Sequence, residues 1–546
     1  MTVDLFSPNP MHRESGPHDA WSTINTRENY QGVMSPLGAT LWLPVSDRAV
    51  NGTFHDLGVL RRVDVKTADT PAESSSTVFF GRYTASINYF RRMSDLIPGR
   101  SGAAFEEQIF GSSRTDAAGA SSRRRYPFIA AKAPVAVARL PRRLATMAEE
   151  VDTWWRMATS SIGAKRPIDA QFAQALEMLE YAMRVHVCAT FVAQGIFDAL
   201  SAMAESIGRP GLHLELSTGY GNMVETSLVT SLVDVAQGRA TLEDFLADYG
   251  FRCAGEIEVS NPSWREQPEL VSRLLDKYRN APGRDDPAAA SAARGRAREA
   301  AEQELLAALP PWKRPLGRLL VRLGAVFIPL REEGKAALAK AFDGARAACR
   351  VRGRQLVACG AIGVVEDVFY LTIDEIRGVP PADARARVAA RRELRAAYEQ
   401  IDVPDAWVGP PTPVVRAQRG RSGATSVTGI GAAHGVVEGR ARVLASAEDL
   451  DDLEPGEILV CRTTDPSWAS AFYLAAGAVI DIGSTSSHGA IVAREMGIPC
   501  VIGTHDGTSI LRTGDLLRVD GASGCVTVLA PPDPTGFVSR DSEVAL

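Results

Sequence analysis

Cysteine is sparse: the seven residues at positions 188, 253, 349, 359, 461, 500 and 525 are scattered, odd in number and never in CxxC spacing. Neither a disulfide framework nor a zinc site is indicated, and a reducing compartment is implied. Charge of one sign is also lacking. A formal net charge of −5 over 546 residues, 23% of them charged, gives no electrostatic footprint for nucleic acid or an anionic membrane. No run of about 18 apolar residues occurs. The start, "MTVDLFSPNPMHRESGPHDAW", is polar and Pro-containing, so neither a signal peptide nor a membrane span is expected, and the chain reads as cytoplasmic. There is no GxxxxGK[ST] loop for nucleotide phosphates. Histidine numbers only eight. His12, His18 and His55 lack ligand spacing, so no metal site is expected, and His186 on an apolar helical stretch reads as a satisfied core residue.

The length exceeds one ordinary core, and two or three domains are the prior. From about 134 to 401 the sequence is rich in Ala, Leu, Arg and Glu with helical periodicity, most clearly in "QFAQALEMLEYAMRVHVCATFVAQGIFDALSAMAESIG" (171–208). From about 434 onward short β-branched runs alternate with Gly and Asp, as in "GEILVCRTT", "GAVIDIG" and "LLRVDG", which predicts a compact α/β module. Between them "VPDAWVGPPTPVVRAQRGRSGATSVTG" (403–429) has the composition of a hinge linker. In the first 130 residues "FFGRYTASINYF" reads as strand and "RSGAAFEEQIFGSS" as helix. The expected fold class is therefore multidomain, α plus α/β: a mostly helical substrate domain over 1–402, the linker 403–429, a compact α/β domain over 430–532 and a tail over 533–546.

One histidine stands where a strand pattern meets a helix pattern. In "SSHGAIVAREMGIP", Ser486 or Ser487 is a candidate N-cap, 489–496 carry the helical run, Gly497 suits a left-handed C′ position and Pro499 stops continuation. His488 thus lies at a helix N-terminus. Free backbone N–H groups and the positive end of the macrodipole disfavour imidazolium and favour an anion there. A phosphoryl group on that ring would find donors waiting, although the same residues also describe an ordinary exposed first turn with serine caps.

"TTDPSW" (463–468) followed by "GAVIDIGSTSSHGAIVAREMGIPCVIGT" and "GTSILRTGDLLRVDGASGCVTVL" resembles the swivelling phosphohistidine domain of phosphoenolpyruvate-utilising enzymes, the group that includes phosphoenolpyruvate synthase, pyruvate phosphate dikinase and rifampin phosphotransferase. His488 falls on the phosphorylated histidine of that pattern. Ser484 departs from it, standing where the family usually has a second glycine, which puts the loop's path in question. "WSTINTRENYQGVMSPLGATLW", "LADYGFRCAGEIEVSNPSWREQP" (246–268), "REEGKAALAKAF" (331–342) and "GVVEDVFYLTIDEI" (363–376) resemble the substrate domain of rifampin phosphotransferase.

The resemblance implies that Arg331 and Lys335 serve the phosphate during transfer. Residues four apart share a helix face, where two cations repel unless an anion lies by them, and Glu332 and Glu333 offer the alternative of a solvated charge cluster. Arg252, Glu256 and Glu258 could bind phosphate and supply a base for an acceptor hydroxyl, with Glu256 equally suited to a structural salt bridge. Phe251 replaces the family's histidine before Arg252. Thr464, Asp465 and Ser467 could orient the histidine loop, or form an ordinary turn, and Ser487 would help to hold the phosphate. The substrate region begins almost at Met1, with no ATP-grasp segment before it and no cofactor site recognisable in this chain. A split enzyme is expected, similar in arrangement to phenylphosphate synthase: a separate ATP-grasp protein uses ATP and Mg²⁺ to charge His488, which delivers the phosphoryl group to a small-molecule hydroxyl. The alternatives are a dehydratase that phosphorylates and then eliminates phosphate, and a noncatalytic ligand-binding homologue.

Overall fold

The protein is described by a computed structural model covering residues 4–27, 30, 32–110, 114, 122–221, 223–280, 287–415, 425–485 and 487–532. It divides into two compact units, one of Met1–Ala202, Phe251–Ser263 and Pro315–Arg416, the other of Met203–Gly250, Trp264–Arg314 and Ala417–Leu546. The helical segments 203–250 and 264–314, which composition groups with the first part of the chain, pack in the second unit together with the C-terminal α/β region.

The first unit is built on long helices: Pro36–Asp56, Tyr126–Ala158, Ile168–Ser206 for most of its length, and Arg314–Ala358. Pro36–Asp56 starts where it does because the Ser35 hydroxyl accepts the Gly38 N–H and Pro36 occupies a position whose N–H would be orphaned. The strand reading of "FFGRYTASINYF" holds for its first half. Ser76–Phe79 and Arg82–Ser86 form a hairpin turned by Phe80 and Gly81, both at positive φ, and Ser86 then caps the helix Ile87–Asp95. Ala20–Ser22 pairs with this hairpin and with Ala406–Val408, so part of the linker span 403–429 is a strand of this sheet. Val414–Val415 pairs with Ile401–Asp402, and residues 416–424 lie outside the described residues.

Ile168–Ser206 contains an 18-residue window of mean hydropathy 1.5, long and apolar enough by those measures to cross a membrane. Core helices meet the same test, and here Phe172, Leu179, Ala182, Val185, Ala189 and Leu200 are buried in the protein interior. The helix passes that test although the sequence has no contiguous run of about 18 apolar residues, because its apolar residues are dense without being contiguous.

The second unit contains the predicted α/β module, an eight-stranded sheet. Four central strands run parallel: Val436–Leu444, Ile458–Cys461, Gly477–Ile480 and Cys500–Ile502. Antiparallel strands flank them, Leu516–Asp520, Cys525–Ala530 and Ser426–Thr428 on one side and Ile430–Ala433 on the other. Three of the four, Ile458–Cys461, Gly477–Ile480 and Cys500–Ile502, are buried along their whole length, which is why their sequences read as continuous apolar runs. The helix His488–Met496 makes the crossover between Gly477–Ile480 and Cys500–Ile502. The fold class expected from the sequence, a mostly helical part followed by an α/β part, is the one found.

Candidate functional site

Two loops leave the C-terminal ends of adjacent parallel strands, where α/β sheets ordinarily place their chemistry. The first follows Ile458–Cys461 and carries Thr464 and Asp465. The second, 481–487, follows Gly477–Ile480 and enters the helix at His488. Ser487 is the N-cap residue, in extended conformation, and Gly497 ends the helix in the left-handed region at φ 69° with Pro499 two residues on, all as the sequence predicts. Ser486, the other candidate cap, lies outside the described residues. The Ser487 hydroxyl makes no capping bond, and its oxygen is buried without a hydrogen-bond partner among the described residues.

The loop is fixed from several directions. Asp481 accepts the Thr504 hydroxyl at 2.7 Å and the Thr508 N–H at 3.2 Å, tying the 503–508 turn to the strand end. Arg494 donates to the carbonyls of Thr485 at 2.9 Å and Ala432 at 3.1 Å, strapping the loop to the helix that follows it. Gly483 is required, since a Cβ there would stand 2.3 Å from Ile502 Cδ1 and 2.9 Å from the Ser487 hydroxyl. Ser484 needs no glycine: the only non-glycine residues at positive φ among those described are Phe80 and His505. Thr464 abuts the first turn of the helix, where a Cβ on Gly489 would be 2.7 Å from its Oγ1. Asp465 caps the turn Pro466–Trp468, accepting the Ser467 N–H at 2.9 Å, and so sets where Thr464 stands.

His488 itself is 1% exposed. The ring is not exposed, as an ordinary first turn with serine caps at this helix start would leave it. The ring is covered by the helix Val224–Ala236, whose Glu225 carboxylate stands 3.9 Å from Nε2 and is likewise buried. Glu225 lies far away in the chain, and no local sequence signal marked it. Glu495, on the His488 helix, accepts the Gly219 N–H at 2.9 Å and lies 3.7 Å from Arg294 Nε, and its burial raises its pKa.

The remaining predicted residues belong to the first unit. Arg331 and Lys335 sit one turn apart on the helix Arg314–Ala358. Nε of Arg331 is 3.1 Å from buried Glu332, so one of the two neighbouring acids does engage the cation, while burial raises the pKa of Glu333. His186 lies against the same helix. Between the two cations Gly334 lets the ring approach so closely that a Cβ would be 3.3 Å from His186 Nδ1, an atom buried without a hydrogen-bond partner among the described residues. The ring also hydrogen-bonds the backbone of Arg331, so His186 packs as the core residue its apolar helix suggests, with Nδ1 alone left unpaired among the described residues. Burial, and then the charges of Arg331 and Lys335, lower its pKa to about 3.

That shift has a stability consequence. As pH falls below 6.5 the unfolded chain protonates this histidine and the folded chain does not, so stability is full above 6.5 and is lost toward pH 3. At pH 5 the loss is about 2 kcal/mol. His186→Phe should flatten part of the decline in melting temperature between pH 7.5 and 5, leaving a remainder to which His12, held at about 4 by burial, contributes. An unchanged slope in the variant would contradict the assignment.

Arg252 and Glu256 form a buried pair, with Arg252 Nη1 at 2.8 and 3.1 Å from the two carboxylate oxygens. Phe251 lies beneath the Arg252 guanidinium, 4.9 Å away, and meets Trp155 edge-on. Glu258 accepts from Ser35 Oγ at 2.6 Å, the Ser35 N–H at 3.1 Å, Tyr30 at 3.1 Å and the Ser260 N–H at 2.9 Å, which occupies it as a structural anchor at the start of Pro36–Asp56. Among the described residues no group of three or more His, Cys, Asp or Glu is arranged to hold a metal ion.

Residues 453–524 match the family model described as PEP-utilising enzyme, mobile domain, which takes in Thr464, Asp465, Ser487 and His488. The loops and helix just described thus resemble, in sequence and in place, the mobile domain of phosphoenolpyruvate-utilising enzymes. Within that class the likeness runs to rifampicin phosphotransferase: residues 178–332 match its fourth domain, a span that includes Arg252, Glu256 and Arg331 and stops just short of Lys335. The chain is 34% identical over 307 residues to a rifampicin phosphotransferase of Streptomyces sviceus, covering 54% of this chain and 35% of that one. It is 30% identical over 302 residues to that of Bacillus subtilis, covering 53% and 34%. A prodigiosin synthesizing transferase of Serratia marcescens is 29% identical over 337 residues, covering 60% and 38%. The chain spans little more than a third of the length of these curated relatives.

Proposed function

We propose that the protein is a phosphohistidine-dependent phosphotransferase component in which His488 carries the phosphoryl group to a hydroxyl of a small-molecule acceptor. The observation that carries this reading is the position of His488, at the first turn of a crossover helix with its loop fixed by Asp481 and Arg494, inside the span matching the mobile domain. The reaction is ping-pong. A donor protein of ATP-grasp type, using ATP and Mg²⁺, charges the ring; the histidine domain then moves; the phosphoryl group passes to the acceptor. Ser487 and Thr464 line the loop that receives the group, and Asp465 sets that loop's shape. Arg331 and Lys335 neutralise the phosphoryl group in transit, as a loose phosphoryl-transfer transition state requires. Arg252 and Glu256 act at the acceptor, Glu256 as base once Arg252 is drawn to phosphate. The component works in the cytoplasm.

The chain alone should neither bind nor be labelled by ATP: calorimetry with Mg-ATP should be flat, and γ-labelled ATP should leave His488 unlabelled until an ATP-grasp protein is added. Stoichiometric labelling of the isolated chain would overturn the split arrangement. The likeness to a prodigiosin synthesizing transferase favours a biosynthetic setting, and a second reading there makes the phosphorylated hydroxyl an activated intermediate from which phosphate is then eliminated. Inorganic phosphate and an alkene as products would establish that form.

A further inference from the structure

The burial of His488 against Glu225 is at odds with a carrier's need for access. Both side chains are almost completely buried, 1% and 2% exposed, and Nε2 is 3.9 Å from Oε1. The cover is extensive. A continuous apolar cluster runs from Leu228, Leu232 and Tyr278 of the helical segments to Trp468, Phe472 and Leu474 of the α/β region. The Tyr278 hydroxyl donates to the Ser470 carbonyl at 3.0 Å, Lys277 donates to the Leu453 carbonyl at 2.8 Å and pairs with Glu454 at 3.0 Å, and Arg273 pairs with Asp451. This arrangement covers the nucleophile while the domain is docked, so charging proceeds through transient undocking of the uncharged domain.

We infer that the segments Met203–Gly250 and Trp264–Arg314 form a dock for the uncharged histidine domain, and that Glu225 is the residue that distinguishes uncharged from phosphorylated His488 by repelling the latter. The inference rests on the carrier reading. When His488 is charged, a lone pair of the neutral ring forms the N–P bond as the donor's P–O bond breaks, and that bonding pair leaves on the donor oxygen. Release of the proton on the other ring nitrogen to solvent leaves a neutral ring whose phosphoryl group carries about two negative charges. The unphosphorylated ring fits beside the carboxylate. A phosphoryl group does not: 3.9 Å between Nε2 and the carboxylate oxygen has no room for a tetrahedral group, and like charges brought together in a buried site repel strongly. Glu225 stands where the phosphoryl group would have to be. Phosphorylation therefore expels the histidine domain from this dock, and delivery of the group allows it to return, giving the swing a direction set by the charge state of one ring.

The test is a charge cycle read by native-state hydrogen exchange on the full chain. His488→Glu places a fixed negative charge against Glu225 and should speed amide exchange in Val224–Ala236 and His488–Met496 by at least tenfold while the strand Ile458–Cys461 stays protected. His488→Gln, neutral, should keep wild-type protection. Glu225→Gln added to His488→Glu should restore it. Wild-type protection in His488→Glu, equal opening in His488→Gln, or no restoration by Glu225→Gln would each overturn the inference. If His488→Glu loses protection in the strand as well, the wild-type chain phosphorylated chemically with phosphoramidate gives the decisive reading: tenfold faster exchange supports the dock and unchanged exchange refutes it. The carrier reading stands or falls separately, on whether labelled phosphate on His488 reaches an acceptor.

Discussion

Phosphoryl transfer by the His488→Ala variant is expected to fall to background. In a covalent ping-pong reaction the ring nitrogen is the only atom that links donor and acceptor half-reactions, so its removal leaves no partial route, unlike loss of a group that merely stabilises a transition state. The variant should also lose some stability, because the ring is buried at the first turn of His488–Met496 and not free in solvent. The loss should be about 1–2 kcal/mol, the ordinary range for truncating one interior side chain. His488→Gln separates the effects: it retains most of the volume, should recover most of the melting temperature, and should remain inactive. Transfer of labelled phosphate from the donor protein through purified variant to acceptor, measured beside thermal unfolding, checks both halves. Turnover in either variant would rule out the covalent mechanism.

The difference between an exposed and a buried His488 marks how far the sequence is readable. The helix start, its glycine stop and the surrounding strands were legible because each depends on local chemistry: a serine before an apolar run, a glycine at a left-handed position, β-branched runs between turns. Glu225 was not legible. It reaches His488 only through the packing of helices more than two hundred residues earlier in the chain, and an acid in the first turn of an apolar helix looks like any other. The surroundings of His186 were not legible for the same reason. Its own helix is apolar, and nothing in its neighbourhood reveals that Gly334, between two cations on a different helix, will bring them against the ring. Arg252 and Glu256 show a third case: a salt bridge was one of the two readings of Glu256, and the pair forms although residues 251–263 make no regular helix.

The second large effect concerns Arg331 and Lys335, and here the surroundings sharpen the expectation. The pair shares a helix face with buried Glu332 at 3.1 Å from the Arg331 Nε, and a histidine beside them is held neutral, so no third cation is added to the cluster at physiological pH. Arg331 is therefore engaged before any phosphate arrives, on a side chain 18% exposed. If these cations stabilise the phosphoryl group chiefly while it is loose between nitrogen and oxygen, Arg331→Ala should lower kcat by about a hundredfold, roughly 3 kcal/mol of transition-state stabilisation, and leave acceptor affinity nearly unchanged. Removing Arg331 also leaves Glu332 buried without that partner, so a fall in melting temperature should accompany the loss, and Arg331→Lys should restore stability more fully than rate because an ammonium cannot reproduce the planar fork. Lys335→Arg should likewise fail to recover the full rate, since a fork does not replace a compact charge at a tight phosphate contact. Single-turnover transfer from pre-phosphorylated protein, with acceptor affinity measured on the unphosphorylated form, distinguishes the possibilities. Wild-type transfer with weakened acceptor binding would assign the pair to the acceptor site, and no change in either would leave Arg331 and Glu332 as a structural ion pair.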